Sequence, residues 1–187
     1  MRLFIAVNLP DPVRRSLERA AAPLREAAPA VRWLQPENFH ITLKFLGSVA
    51  DEALADVRSA LDAAALRHAP FPMTLRGAGA FPNFRRPRVY WVGVEDDGSL
   101  LQLQLEVERT IAPLGFPTEA RPFHAHITIG RPNNVPAAQV LAAGAAGEDF
   151  RYESKVQVKS IELMESKLSP KGARYEAIRS APLGEKR

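Results

Sequence analysis

His-Ile-Thr occurs twice in this chain, at His40-Ile41-Thr42 and at His126-Ile127-Thr128, 86 residues apart. Each triplet lies in an alternating run, Phe39-His40-Ile41-Thr42-Leu43 and Ala125-His126-Ile127-Thr128-Ile129. In a β-strand, residues i and i+2 share a face. His40 and Thr42 therefore point one way, and Ile41 and Leu43 the other. His126 and Thr128 point one way, and Ile127 and Ile129 the other. Each strand needs a core behind it and presents imidazole plus hydroxyl in front. Two such strands, one in each half of the chain, point to two lobes whose equivalent central strands meet across a cleft.

The rest of the chain fits that plan. Residues 2–8 read as a buried strand. Asp11 is the expected cap of a helix with Pro12 at its first position, running toward Ala28 with a break at Pro23. Short strands are expected at 31–34 and at 39–46, the latter closed by Gly47. A helix follows from Asp51 to about Arg67. Strands at 72–80 and 87–95 flank the turn-rich Pro82-Asn83-Phe84-Arg85-Arg86-Pro87. Ser99 is the expected cap of a helix ending before Gly115. A strand at 124–130, a helix from Ala137 to Ala146, an alternating run at 154–166 and a last strand at 175–178 complete the order. A turn is expected at Ser169-Pro170-Lys171-Gly172, and residues 183–187 read as a polar, frayed tail. No linker splits the chain, so residues 1–182 read as one bilobal α+β domain with antiparallel sheets and outer helices.

The chain has no cysteine, which excludes a disulfide framework, a thiolate zinc site and a cysteine nucleophile. It suits a reducing cytosol. No stretch approaches the length of a membrane span, and the opening residues lack the cleavage site of a signal peptide. The net charge of +4 suits a polyanionic ligand.

Two imidazoles and two hydroxyls facing one cleft are a complete set for splitting a phosphodiester. The ordinary histidine pKa lets one ring be neutral and the other protonated near neutral pH. The neutral ring accepts a proton from the attacking water, and the protonated ring gives one to the departing oxygen. Thr42 and Thr128 are placed to hydrogen-bond the non-bridging phosphate oxygens. With only four histidines and five threonines in the chain, chance seldom yields the pairing twice. Neither a metal nor a cofactor is required.

The contexts Asn38-Phe39-His40-Ile41-Thr42-Leu43-Lys44-Phe45-Leu46-Gly47 and Arg121-Pro122-Phe123-His124-Ala125-His126-Ile127-Thr128-Ile129-Gly130-Arg131 resemble the 2H phosphoesterases and their HxTx motifs. The nearest branch is the RNA 2′,3′-cyclic phosphodiesterases, also called 2′-5′ RNA ligases. Arg2-Leu3-Phe4-Ile5-Ala6-Val7 and Leu163-Met164-Glu165-Ser166-Lys167-Leu168, with Gly172 and Tyr175, are similar to that branch too. The resemblance implies a pseudo-two-fold bilobal fold and hydrolysis of a 2′,3′-cyclic phosphate to a 2′-phosphate. It implies that His40 is the acid and His126 the base. The family usually has proline before the second histidine, where this chain has Ala125.

Other residues each admit a plainer role beside a functional one. Arg131 matches a phosphate-binding arginine of the branch, but alternation from His126 puts Gly130 on the cleft face. A bulge at Gly130 is needed to turn Arg131 inward. Lys44 shares parity with His40 and Thr42, so it is a candidate phosphate contact or a rim lysine. Phe45 and Phe123 are candidates for stacking a base, with Phe84 and Tyr90 behind them. His124 forms His-x-His with His126, which lacks a third metal ligand, and His68 ends a helix. Arg85, Arg86 and Arg88 form a basic loop suited to an RNA backbone or simply to solvent. The expected partners are RNA ends or nucleoside 2′,3′-cyclic phosphates, met by a cytoplasmic monomer. The rival readings are 2′-5′ ligation through the same site, a phosphodiesterase for small nucleotides or 2′-5′ oligonucleotides, and an RNA-binding module without turnover.

Overall fold

The apolar run Leu3-Phe4-Ile5-Ala6-Val7 becomes strand β1 (Arg2–Asn8), buried on both faces, and it anchors the first half of the sheet. The computed structural model describes residues 1–169 and 172–185. After β1 come helices α1 (Asp11–Ala20) and α2 (Ala22–Ala27), strands β2 (Arg32–Trp33) and β3 (His40–Ser48), and helix α3 (Leu54–Ala65). Strands β4 (Phe71–Phe81) and β5 (Val89–Glu95), helix α4 (Ser99–Ile111), strand β6 (His126–Arg131) and helix α5 (Ala137–Glu148) follow. Strands β7 (Glu153–Val158), β8 (Ser160–Ser169) and β9 (Gly172–Pro182) close the order.

The strands run β7-β4-β5-β6-β3-β1-β8-β9, with β2 also beside β6. Every pairing is antiparallel. The two expected sheets are thus two four-stranded halves, joined where Ile41 of β3 pairs with Ile127 of β6. Each half contains a strand, a helical connection and a motif strand: β1 to β3 through α1 and α2, and β5 to β6 through α4. The connections cross over. Helix α4 packs against β3 and α3 of the first half, while α2 packs against α5, which rests on β4 of the second. One continuous core, including Ile5, Leu43, Tyr90, Leu103, Ile127 and Leu163, lies on the helical side of both halves.

Both motif strands break their alternation at the same place. On β3, Ala6 faces Thr42 but Ile5 faces Lys44, so Leu43 is an extra residue. On β6, Trp91 faces Thr128 but Tyr90 faces Gly130, so Ile129 is extra. Each extra residue reverses the parity that follows it. Phe45 and Arg131 consequently come to the cleft face in equivalent positions, and Lys44 and Gly130 turn to the core. The bulge expected at Gly130 falls on Ile129 instead. Gly130 serves another purpose. A Cβ there would stand 2.5 Å from Cε3 of Trp33, so only glycine lets that ring lie beneath β6.

Lys44 is therefore not a phosphate contact. It is 5% exposed, and its Nζ donates to Glu108 Oε2 at 2.5 Å and to the Pro117 carbonyl at 2.9 Å. Gln104 Nε2 donates to Glu108 Oε1 at 3.2 Å and to the carbonyl of the bulged Leu43 at 3.4 Å. A buried pair thus fastens the β3 bulge to α4.

Other expectations need correction. Asp11 is the first residue of α1 rather than its cap; the carbonyl of Pro10 accepts from Val13 and Arg14. Ser99 likewise begins α4, and Asp96 and Asp97 accept the first free N–H groups. The run at 154–166 is two strands, one at each part of the sheet: β7 pairs with β4 and β8 with β1. Its buried residues change parity at Lys159, from Val156 and Val158 to Ile161 and Leu163. The tail is not frayed at its start, since Leu183 is buried and the Gly184 N–H donates to the Ala65 carbonyl. Pro170 and Lys171 of the expected turn, and residues 186 and 187, lie outside the described residues.

Removing one member of a buried ion pair strands the other charge, at a cost of about 3–5 kcal/mol. Glu108→Ala is expected to lose stability of that order in urea unfolding. Lys44→Met combined with Glu108→Leu should recover most of it. Equal losses in the single and double variants would show that packing volume, not charge, holds the bulge.

Candidate active site

The two imidazoles are held in the same way. His40 Nδ1 lies 2.8 Å from the Asn38 carbonyl, and His126 Nδ1 lies 2.7 Å from the His124 carbonyl. A carbonyl only accepts, so each Nδ1 carries the hydrogen and each neutral ring leaves its Nε2 with a lone pair. Asn38 ends a single 3₁₀ turn (Pro36–Asn38), and its side chain donates to the Ala173 carbonyl of β9 at 3.0 Å. The support for His40 thus comes from outside its own strand.

Continuing the Ile41–Ile127 pairing one residue each way sets His40 beside Thr128 and Thr42 beside His126. The four polar side chains occupy one face because Ile41 and Ile127 are buried on the other. The Thr42 hydroxyl donates to His40 Nε2 at 3.0 Å. The Thr128 hydroxyl has no hydrogen-bonding partner among the described residues.

Aromatic rings wall each imidazole. Tyr175 meets His40 edge-on with centroids 5.2 Å apart, and Phe4 lies 4.9 Å away. Phe81 meets His126 edge-on at 5.1 Å and His124 at 5.0 Å. Trp91 lies against Phe81 and His124. These walls strip water from the rings. Burial accordingly lowers the His40 pKa to about 4, opposed by the hydrogen bond to Asn38 and helped by the positive charges of Arg14, His126 and Arg131. His126 is lowered too, first by burial and then by the nearby charges of His124 and Arg131, against the hydrogen bond to the His124 carbonyl. Both shifts favour the neutral ring in the free protein.

The cleft gathers His40, Thr42, His126, Thr128, Phe45 and Arg131. Phe45 is 71% exposed and its ring centroid lies 6.0 Å from that of Phe4. Arg131 acts electrostatically on both imidazoles. Phe123 and Phe84 are half-buried and pack against the main core, and Tyr90 is fully buried. His124 contributes its carbonyl to His126, and among the described residues no three His, Asp or Glu side chains gather as a metal set. His68 packs at the end of α3, with its N–H on the Ala65 carbonyl. Arg85 and Arg86 lie in a turn closed by Asn83 Oδ1, and the intervening Phe84 packs toward α5.

Arg14 is a site residue that the sequence does not signal. It lies on α1, its Nε is buried with no hydrogen-bonding partner, and its ion-pair partner Asp11 stands 3.6 Å away and largely exposed. One arginine among several on a charged helix looks like any other. Phe4 is equally silent as a residue beside His40, because an N-terminal apolar strand reads as core.

The model of a family described as LigT-like phosphoesterase matches the chain twice, over residues 7–91 and 92–175. An RNA 2′,3′-cyclic phosphodiesterase of Archaeoglobus fulgidus is 36% identical over 180 residues, covering 96% of this chain and 98% of that one. One from Methanothermobacter thermautotrophicus is 34% identical over 176 residues, covering 94% and 95%. Among solved structures, TT0787 of Thermus thermophilus superposes with a TM-score of 0.80 at 30% identity, covering both chains completely. E. coli LigT complexed with 3′-AMP gives 0.71 at 28%, covering 97% of each.

The lowered histidine pKa values make folding sensitive to acid. Between pH 6.5 and 4 the unfolded chain binds protons that folded His40 refuses, so stability falls as pH drops through that window. His40 alone accounts for about 3 kcal/mol, and His126 acts in the same direction. Urea unfolding at pH 7 and pH 4 should show this loss, and His40→Gln should show a smaller one. An unchanged loss in His40→Gln would place the acid sensitivity elsewhere.

Proposed function

This chain belongs to the LigT-like phosphoesterase family, and we propose that it is an RNA 2′,3′-cyclic phosphodiesterase that opens a terminal cyclic phosphate to a 2′-phosphate. The observation that supports this most directly is the pairing of two His-x-Thr strands at one seam, with each Nδ1 held by a backbone carbonyl and each Nε2 left as the ring's acceptor. The relatives from A. fulgidus and M. thermautotrophicus carry the same activity in their names.

The reaction divides between the two rings. His126 Nε2 takes a proton from water as the water oxygen bonds to phosphorus. The bond from phosphorus to the ribose 3′ oxygen breaks, and His40 Nε2–H supplies the proton to that oxygen. Ring opening leaves a 2′-phosphate and a 3′-hydroxyl, with His126 protonated and His40 neutral; proton exchange with solvent resets the pair. Thr42, Thr128 and Arg131 hold the non-bridging oxygens, and Phe45 supports the base. Each positioned proton-transfer group contributes about 10²–10⁴-fold.

The free protein does not hold the required proton. Two neutral imidazoles under positive charge have no acid between them at neutral pH. The substrate's phosphate brings a negative charge to both rings and to Arg131, which raises both pKa values. The substrate therefore charges the acid that cleaves it. A single chain supplies every group named, so the enzyme works as a monomer, and its lack of cysteine suits the cytoplasm.

With EDTA present, product analysis on an RNA bearing a 2′,3′-cyclic phosphate should show a 2′-phosphate. Activity lost to EDTA and restored by zinc or magnesium would rule out the metal-free route. The pH profile of kcat/KM, which reports the free enzyme, should peak below pH 6.5, and that of kcat should peak higher. Coincident optima would refute charging by substrate. His40→Ala and His126→Ala should each cost about as much as the double variant. A better leaving group should rescue only His40→Ala; rescue of His126→Ala instead would reverse the two roles.

A further inference from the structure

Two arginines stand directly opposite each other in the sheet. Arg32 of β2 is the register partner of Arg131 of β6. Paired residues of an antiparallel ladder project to the same face, so Arg32 shares the cleft face that the Ile129 bulge gives to Arg131. Like charges placed directly opposite are destabilising. Among the described residues no carboxylate lies within ion-pair distance of either arginine. The repulsion is left standing.

The placement of Arg32 is not loose. β2 is only two residues long, yet it is fastened at several points. The Leu34 N–H donates to the Ile129 carbonyl at 2.9 Å, which is the bulged residue of β6. Arg25 Nη2 donates to the Leu34 carbonyl at 2.7 Å, and Trp33 Nε1 to the Ala28 carbonyl at 2.9 Å. The Trp33 ring fills the space that Gly130 leaves. The Arg32 guanidinium reaches to the start of β9, where a Cβ on Gly172 would stand 2.7 Å from Nη2. The side chain thus spans from the second half of the sheet to the first.

The two arginines differ in depth. Arg131 bears electrostatically on His40 and His126, whereas Arg32 is not among the charges that bear on either. Arg131 therefore belongs with the reacting phosphate, and Arg32 lies one step outward along the same face. A nucleic acid strand carries its next phosphate one nucleotide away, and guanidinium forks match phosphate oxygens. We propose that Arg32 is a second phosphate site, which takes the 5′ phosphate of the terminal nucleotide while its cyclic phosphate lies at the histidines. The site makes the enzyme favour an oligonucleotide end over a bare nucleoside cyclic phosphate. This rests on the hydrolysis proposed above for the identity of the first phosphate.

The test compares uridine 2′,3′-cyclic phosphate with the same compound carrying a 5′-phosphate. The wild type should favour the 5′-phosphorylated compound about tenfold in kcat/KM, expressed mainly in KM, as expected for one charge-assisted contact. Arg32→Gln should abolish that preference and leave the unphosphorylated compound within about twofold of wild type. A preference that survives in Arg32→Gln overturns the proposal. So does an equal loss on both compounds, which would place Arg32 at the reacting phosphate. If the wild type opens neither compound, the hydrolysis reading fails, and calorimetry decides the subsite separately. Uridine 2′,5′-bisphosphate should then bind about tenfold tighter than uridine 2′-phosphate to wild type and no tighter to Arg32→Gln; equal gains in both proteins would overturn it. Urea unfolding guards against a folding artefact: relief of the repulsion should leave Arg32→Gln at least as stable as wild type.

Discussion

A β-strand alternates its side chains between two faces, and a single extra residue reverses everything beyond it. The cleft depends on that reversal happening twice, one residue past each threonine. Before the bulge, each motif strand offers histidine and threonine to the cleft. After it, β3 offers Phe45 and β6 offers Arg131. Without the bulges the cleft would receive Lys44 and Gly130 at those positions, and the strands would bury an arginine and a phenylalanine in their place. Neighbouring elements serve this geometry: Gln104 of α4 takes the carbonyl of the bulged Leu43, and Leu34, just past β2, takes the carbonyl of the bulged Ile129.

The same backbone device carries different chemistry in the two halves. The position turned to the core is a lysine on β3, neutralised by Glu108, and a glycine on β6, which admits Trp33. The position turned to the cleft is an apolar ring on β3 and a cation on β6. The pseudo-symmetry thus fixes where side chains point, and the departures from it put an apolar ring on one side and a cation on the other. The aromatic walls preserve the symmetry, with Tyr175 and Phe81 each meeting an imidazole edge-on. Burial is the leading cause that sets both histidines below their ordinary pKa, and it is deeper at His40.

The motif strands are legible in the sequence because alternation is a local property of His40 to Leu43 and of His126 to Ile129. Counting fails for Lys44 because it assumes an unbroken ladder, and nothing in Thr-Leu-Lys announces a bulge. For Arg131 the need for a bulge is visible, but glycine draws it to the wrong residue; Gly130 is small because Trp33 lies under it. The division of residues 154–166 is present as a parity change at Lys159, and a short polar gap between two apolar pairs conceals such a change. Asp11 and Ser99 suit caps by residue type, but they begin those helices, and the Pro10 carbonyl and the Asp96 and Asp97 carboxylates accept there instead. Arg14 and Arg32 gain their meaning only from what folds against them, and that is long-range.

The crossed helical connections govern how the molecule behaves as a whole. Helices cross between the halves: α4, from the second by chain order, packs on β3, and α2, from the first, packs on the helix above β4. The halves are clasped like hooked fingers. The placement of the two imidazoles thus rests on the continuous sheet and on these crossed connections. A chain severed between the two halves would recover its chemistry only if its fragments hooked together again.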